Sequence, residues 1–213
     1  MKKFILSAAV IMSISPLFAQ SDKYVAAMKS NISQLDSMMG KHNNVELANN
    51  FERIGNAEKT QWLPYYYAAY CTVTEGLMEQ DNSKKDGIAD KAQSLIGKAD
   101  SLLGKENSET DVIKSMIATV RMTVDPQSRY MTYGPQSEDL IQKSESIDST
   151  NPRPYLLKAE NTFYTPEQYG GGKDAAKPFF DKAKQLDDKF KPETELSANW
   201  GKSAINYFLS QYK

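Results

Sequence analysis

Ala92-Gln93-Ser94-Leu95-Ile96-Gly97-Lys98-Ala99-Asp100-Ser101-Leu102 decides the fold, because the chain writes the same pattern twice more. The second copy places Ser137, Leu140, Ile141, Ser144 and Ile147 at the same intervals, and the third places Ala176, Phe179, Phe180, Ala183 and Leu186. The five positions of each copy fall on one stripe of an α-helix. Small residues at the first and fourth of them let a neighbouring helix approach closely. A helical pattern that returns at intervals of roughly 40 residues is the mark of stacked helical hairpins. Ala48, Phe51 and Gly55 give a degenerate earlier copy, in which Glu52 takes the place of the second large residue. Terminal repeats are expected to be atypical, since one of their faces meets water.

Around these stripes the chain reads as helices separated by Gly, Pro and Asn clusters, with almost no period-two alternation. The expected fold class is all-α: a right-handed stack of antiparallel helical hairpins with a C-terminal capping helix. The hairpins are expected at about 22–58, 62–103, 109–148 and 152–190, and the cap at about 198–211. Within them, helices are expected at 22–39 and 44–58, at 62–79 and 87–103, at 109–124 and 135–148, and at 152–164 and 173–190. Pro64 sits in a first turn, where backbone N–H groups have no intrahelical acceptor. Asn151 can cap a helix whose first residue is Pro152. Asp125-Pro126 and Gly134-Pro135 read as a linker, with the first proline stopping the preceding helix. The stretch Tyr65 to Leu77 is apolar on two sides, so its helix should lie between neighbours. The cap should carry Trp200, Ala204, Ile205, Phe208 and Leu209 on its apolar face.

Met1-Lys2-Lys3, an apolar run from Phe4 to Leu17 and the small residue Ala19 follow the order of an export signal, with cleavage expected after Ala19. The run is short of the roughly 20 apolar residues that span a bilayer, and no later segment approaches that length without charge. The expected organisation is a signal peptide over residues 1–19 and one helical repeat domain over 20–213, in the periplasm or secreted. No Cys near the cleavage site is available for lipid attachment. Cys71 is the only cysteine, so no intramolecular disulfide can form and stability must come from packing.

The formal charge of the chain is −1, and loss of Lys2 and Lys3 makes it more acidic. Lysines alternate with Asp and Glu along the helices, as in Lys173, Asp174, Lys177, Asp181 and Lys182, which marks solvated faces. Clustered basic surface is lacking, and nucleic acid is excluded as a partner.

The pattern Ala-x3-large-x2-Ala, best kept in Ala176, Phe180 and Ala183 and looser in Ala92, Ile96, Ala99 and in Ser137, Ile141, Ser144, resembles the second helix of the tetratricopeptide (TPR) repeat. The first-helix pattern of that family is poorly kept after Trp62, where Tyr65, Tyr66 and Ala69 stand. The proline expected after the last small residue is replaced by Gly104, Ser149 and Asp188. The segment from Tyr164-Thr165-Pro166-Glu167 through Gly170-Gly171-Gly172-Lys173 also resembles exported TPR-type proteins of gram-negative bacteria. The resemblance implies a TPR-like α-solenoid whose concave face binds a protein or peptide partner without catalysis. The alternative that it admits is a periplasmic small-molecule binding protein accessory to a transporter. Fold analogy alone is a weak functional warrant.

Chemistry-bearing constellations are sparse. His42 is the single histidine, and no particular Ser and carboxylate are brought to it by spacing. One His and one Cys make a poor zinc shell. The Gly triplet 170–172 before Lys173 departs from a phosphate loop, with Asp174 where a hydroxyl would be needed. The pairs Glu138-Asp139 and Asp187-Asp188 diverge by about 100° on their helices. No metal, cofactor or catalytic residue is expected. Aromatic residues are abundant, with 12 Tyr, 8 Phe and 2 Trp. Tyrosine can finish a core with its hydroxyl wet, or line a groove. If they line one, the ligand-binding candidates are Trp62, Tyr65, Tyr66, Tyr155 and Tyr164.

Overall fold

The computed structural model describes residues 21–35 and 44–212. Those residues are helical, with no strand among them. The expected cleavage site and His42 lie outside the described residues. The helices are α1 (Asp22–Ile32), α2 (Asn44–Glu58), α3 (Leu63–Met78), α4 (Asn82–Leu103), α5 (Ser108–Val124), α6 (Pro126–Ile147), α7 (Pro152–Tyr164), α8 (Lys173–Asp187) and α9 (Lys202–Ser210). None is long and apolar enough to cross a membrane. Consecutive helices pack on each other from α1 to α9, and α5 also touches α3 and α7.

The repeated stripe is the core. Ala92, Ile96 and Ala99, then Ile141 and Ser144, then Ala176, Phe180 and Ala183 are all fully buried. Close approach has a polar form in the Ser copy: Ser137 Oγ lies 2.9 Å from Ser115 Oγ, and Ser144 Oγ donates to the Ser108 carbonyl at 2.9 Å. Leu102 and Ile147, the last positions of two copies, are each 38% exposed, so the stripe is buried at its start and open at its end. Helix α3 meets the expectation of a helix between neighbours, with Tyr66, Tyr67, Ala68, Ala69, Cys71 and Val73 buried among α2, α4 and α5. At the other end Phe180 of α8 stacks on Phe208 of α9 at 4.7 Å, with Phe163 of α7 edge-on to both. Burying a side chain of that size contributes about 1.5–3 kcal/mol, which is what docks a helix as short as α9.

Five boundaries differ from expectation by more than two residues. Helix α1 ends at Ile32 and turns through residues 33–35. Helix α4 starts at Asn82 instead of 87, because Asp81 accepts from the Ser83 N–H at 3.1 Å and starts the helix in the polar stretch before Gly87. The linker expected over 125–134 is helical. Asp125 caps the Ser128 N–H, Pro126 occupies the first turn, and α6 runs through Pro135. That proline leaves the carbonyl of Met131 without its helical donor, on a stretch exposed to water; Gly134 before it has no Cβ to meet the proline ring. Helix α8 ends at Asp187, which moves Lys189 and Phe190 into the connection that follows. Helix α9 begins at Lys202 after Gly201, whose φ of 108° suits glycine. Trp200 therefore belongs to that connection and not to the cap's apolar face.

Candidate functional site

The connection over residues 188–201 has no helix, yet it is fastened to α3 by aromatic residues. Trp200 stacks on Tyr70 at 4.4 Å and donates its indole N–H to Tyr66 Oη at 2.8 Å, while Tyr67 Oη donates to the Leu196 carbonyl at 2.9 Å. Leu196, Ala198 and Trp200 are buried. The connection thereby becomes one wall of a cavity of about 590 Å³. The opposing walls come from the starts of α3 (Trp62, Leu63) and α5 (Lys105 to Glu109), the end of α6 (Ile147) and the turn into α7 (Asp148, Thr150, Arg153). A smaller cavity of about 240 Å³ lies on the other side of the same connection, between the end of α1 (Ile32, Ser33, Leu35) and Tyr67, Pro192, Glu195 and Trp200.

The floor of the larger cavity is a buried ion pair. Arg153, 2% exposed, donates through Nε and Nη2 to Glu109 Oε1 at 2.7 and 2.6 Å. Asn151 Nδ2 donates to the same oxygen at 2.7 Å and to Ser108 Oγ at 3.0 Å, and Tyr66 Oη donates to Glu109 Oε2 at 2.6 Å. Burial opposes the charge of Arg153, but the Glu109 carboxylate outweighs it and holds the guanidinium above its usual range. Burial, then the Glu109 charge, pushes the Tyr66 phenol well up, so it stays neutral. Phe190 rests one face on the Arg153 guanidinium at 4.6 Å and lines the cavity. An aromatic wall backed by a fixed cation, an apolar base at Leu63 and Ala198, and a rim of charged residues suit a ligand with a flat apolar body and polar edge. The described lining holds no His, Cys, Met or Tyr, the side chains that would ligate a transition metal carried by such a ligand.

Of the five residues singled out in the sequence, Trp62 lines this cavity, half-buried and edge-on to Tyr66 at 5.7 Å. Tyr66 lies beneath it, fully buried, and contributes through Glu109. Tyr65 is buried against α2, with its hydroxyl on Asn56 Oδ1 at 2.9 Å. Tyr155 is half-buried under Lys182, and Tyr164 is 72% exposed beside Phe208; neither reaches the cavity. Arg153, Glu109, Phe190 and the rim lysines were not singled out.

The other constellations do not form sites among the described residues. The N–H groups of Gly170, Gly171 and Gly172 are taken by the carbonyls of Glu167, Pro166 and Thr162. Cys71 is fully buried, and no group of His, Cys, Asp and Glu is placed to hold a metal ion.

The fold and cavity define an all-helical protein with a ligand-sized, mixed aromatic and charged hollow at one end. Among solved structures, the HusA haemophore from Porphyromonas gingivalis matches with a TM-score of 0.79 and 33% sequence identity, over 92% of this chain and 95% of that one. The chain belongs to the family of that haemophore. No protein-family model matches the sequence, and no curated protein matches it either.

Proposed function

We propose that this chain is an exported haem-binding protein that holds the macrocycle in the cavity walled by residues 188–201 and performs no catalysis. The observation that carries the reading is the 33% identity to a haemophore over nearly the whole of both chains. It favours the small-molecule alternative expected from the sequence over the peptide-binding scaffold. The cavity supports it independently: about 590 Å³ lies within the roughly 300–1,000 Å³ typical of small-molecule sites. The face of a planar ring would lie on Phe190 and Trp62, so affinity comes from aromatic and edge contacts of the described lining. The hairpins stack in TPR-like order in this reading, with contacts of α5 to α3 and α7 in support. That order brings the starts of the three helices to one end, where the cavity opens.

Titration of the purified protein with haemin, followed by the Soret band and by tryptophan fluorescence, tests the proposal. Saturable binding with a dissociation constant of about 1 µM or tighter, with quenching of Trp62 and Trp200, is the expected result. A Soret band that never saturates, or equal quenching by an unrelated planar dye, overturns it.

A further inference from the structure

Three ammonium groups surround the larger cavity without a partner among the described residues. Lys105 stands on the α4–α5 turn, and Lys189 and Lys191 on the connection after α8; none of the three ammonium groups makes an ion pair or hydrogen bond with a described residue. Two of the four lining carboxylates are neutralised by other cations. Glu109 is held by Arg153 and Glu106 by Lys143, Asp148 accepts only from Thr150, and Glu193 has no side-chain partner among the described residues. A single exposed lysine says nothing, since its charge is well hydrated. Three from two segments around one hollow with an apolar base raise the local potential for anions. Water is displaced from such a rim when a flat ligand covers the base, which strengthens each ammonium–carboxylate contact.

We propose, resting on the haem-binding reading, that Lys105, Lys189 and Lys191 determine specificity by holding the carboxylates of the ligand. Haem carries both of its carboxylates on one edge. The ring enters with its apolar edge towards Leu63 and Ala198, and the carboxylate edge stays at the lysine rim. The site therefore selects the dicarboxylic acid over its esters, and Glu193 works against it by repulsion.

The experiment titrates the full protein with haemin and with haemin dimethyl ester, side by side. Haemin is expected to bind about tenfold tighter, as two ion pairs in the middle of the surface range would give, and to lose that margin at high salt. Replacing Lys105, Lys189 and Lys191 together by Ala lowers haemin affinity to that of the ester and leaves the ester unchanged. Glu193→Gln tightens haemin a few-fold and leaves the ester alone, and needs no change to the fold. Equal binding of acid and ester by the parent chain, or equal weakening of both by the triple variant, overturns the specificity proposal while haem binding stands. Failure of both ligands to bind overturns the haem-binding reading itself.

Discussion

Glu109→Ala should be the most destabilising single change at the cavity floor. The carboxylate accepts from Arg153, Asn151 and Tyr66, and its removal strands a guanidinium that is 2% exposed. Breaking a buried pair by removing one partner costs about 3–5 kcal/mol, because the remaining charge has neither water nor counter-ion. For a chain of this size each kcal/mol moves the melting temperature by about 2–4 °C, which puts the expected fall at about 6–20 °C. Glu109→Gln should recover only part of the loss. An amide can accept from Arg153, but it restores no charge, and its NH2 group cannot accept the Tyr66 hydroxyl. Changing both partners, Glu109→Leu with Arg153→Met, removes the stranded charge as well as the pair. The double variant should therefore be more stable than either single variant. Thermal and urea denaturation of the parent, Glu109→Leu, Arg153→Met and the double variant give the coupling directly. A melting temperature for Glu109→Ala within 2 °C of the parent would refute the reasoning, as would a double variant whose loss equals the sum of the singles.

Gly171→Ala would place a Cβ 2.2 Å from the Thr165 carbonyl oxygen, so the turn before α8 must open; a loss of about 1–3 kcal/mol in urea is expected, and an unchanged midpoint argues against the geometry. Burial pushes the Glu160 carboxyl up from 4.5 to about 7. The folded chain thus binds this proton more tightly than the unfolded one, so the group's stabilisation is complete below pH 4.5 and fades as pH rises towards 7. Glu160→Gln should accordingly be more stable than the parent at pH 8, by ~3 kcal/mol at most, and close to it at pH 4; identical pH profiles would contradict this. Burial also pushes the Cys71 thiol well up, and a disulfide reagent should label it only after denaturation; rapid labelling of the native chain would show a thiol that is not enclosed.

Much of this architecture was legible before any coordinates. The boundaries of Asn44–Glu58 and Pro152–Tyr164 match expectation at both ends, because in each the polar start, apolar period and stop signal agree. Two of the misplaced boundaries share a cause: a breaker residue was weighed without its position. Gly87 lies beyond a start already set by Asp81, and Pro135 sits on an exposed face where water replaces its missing hydrogen bond. The candidate site was barely legible. Trp62 was found because aromatic residues are concentrated around it, whereas Tyr155 and Tyr164 were chosen on the same ground and face elsewhere.

The sequence by itself determined the helices and the stripes by which they pack, since both follow from spacings of three and four residues within one turn or two. Only the tertiary structure decided where a ligand fits. The floor joins Tyr66, Glu109, Arg153 and Trp200, residues from four separate segments, and its wall is a connection with no periodicity to read. Whether Arg153 is a solvated surface charge or a buried anchor depends on Glu109 lying 2.6 Å away, and that distance is set by how α5 and α7 meet.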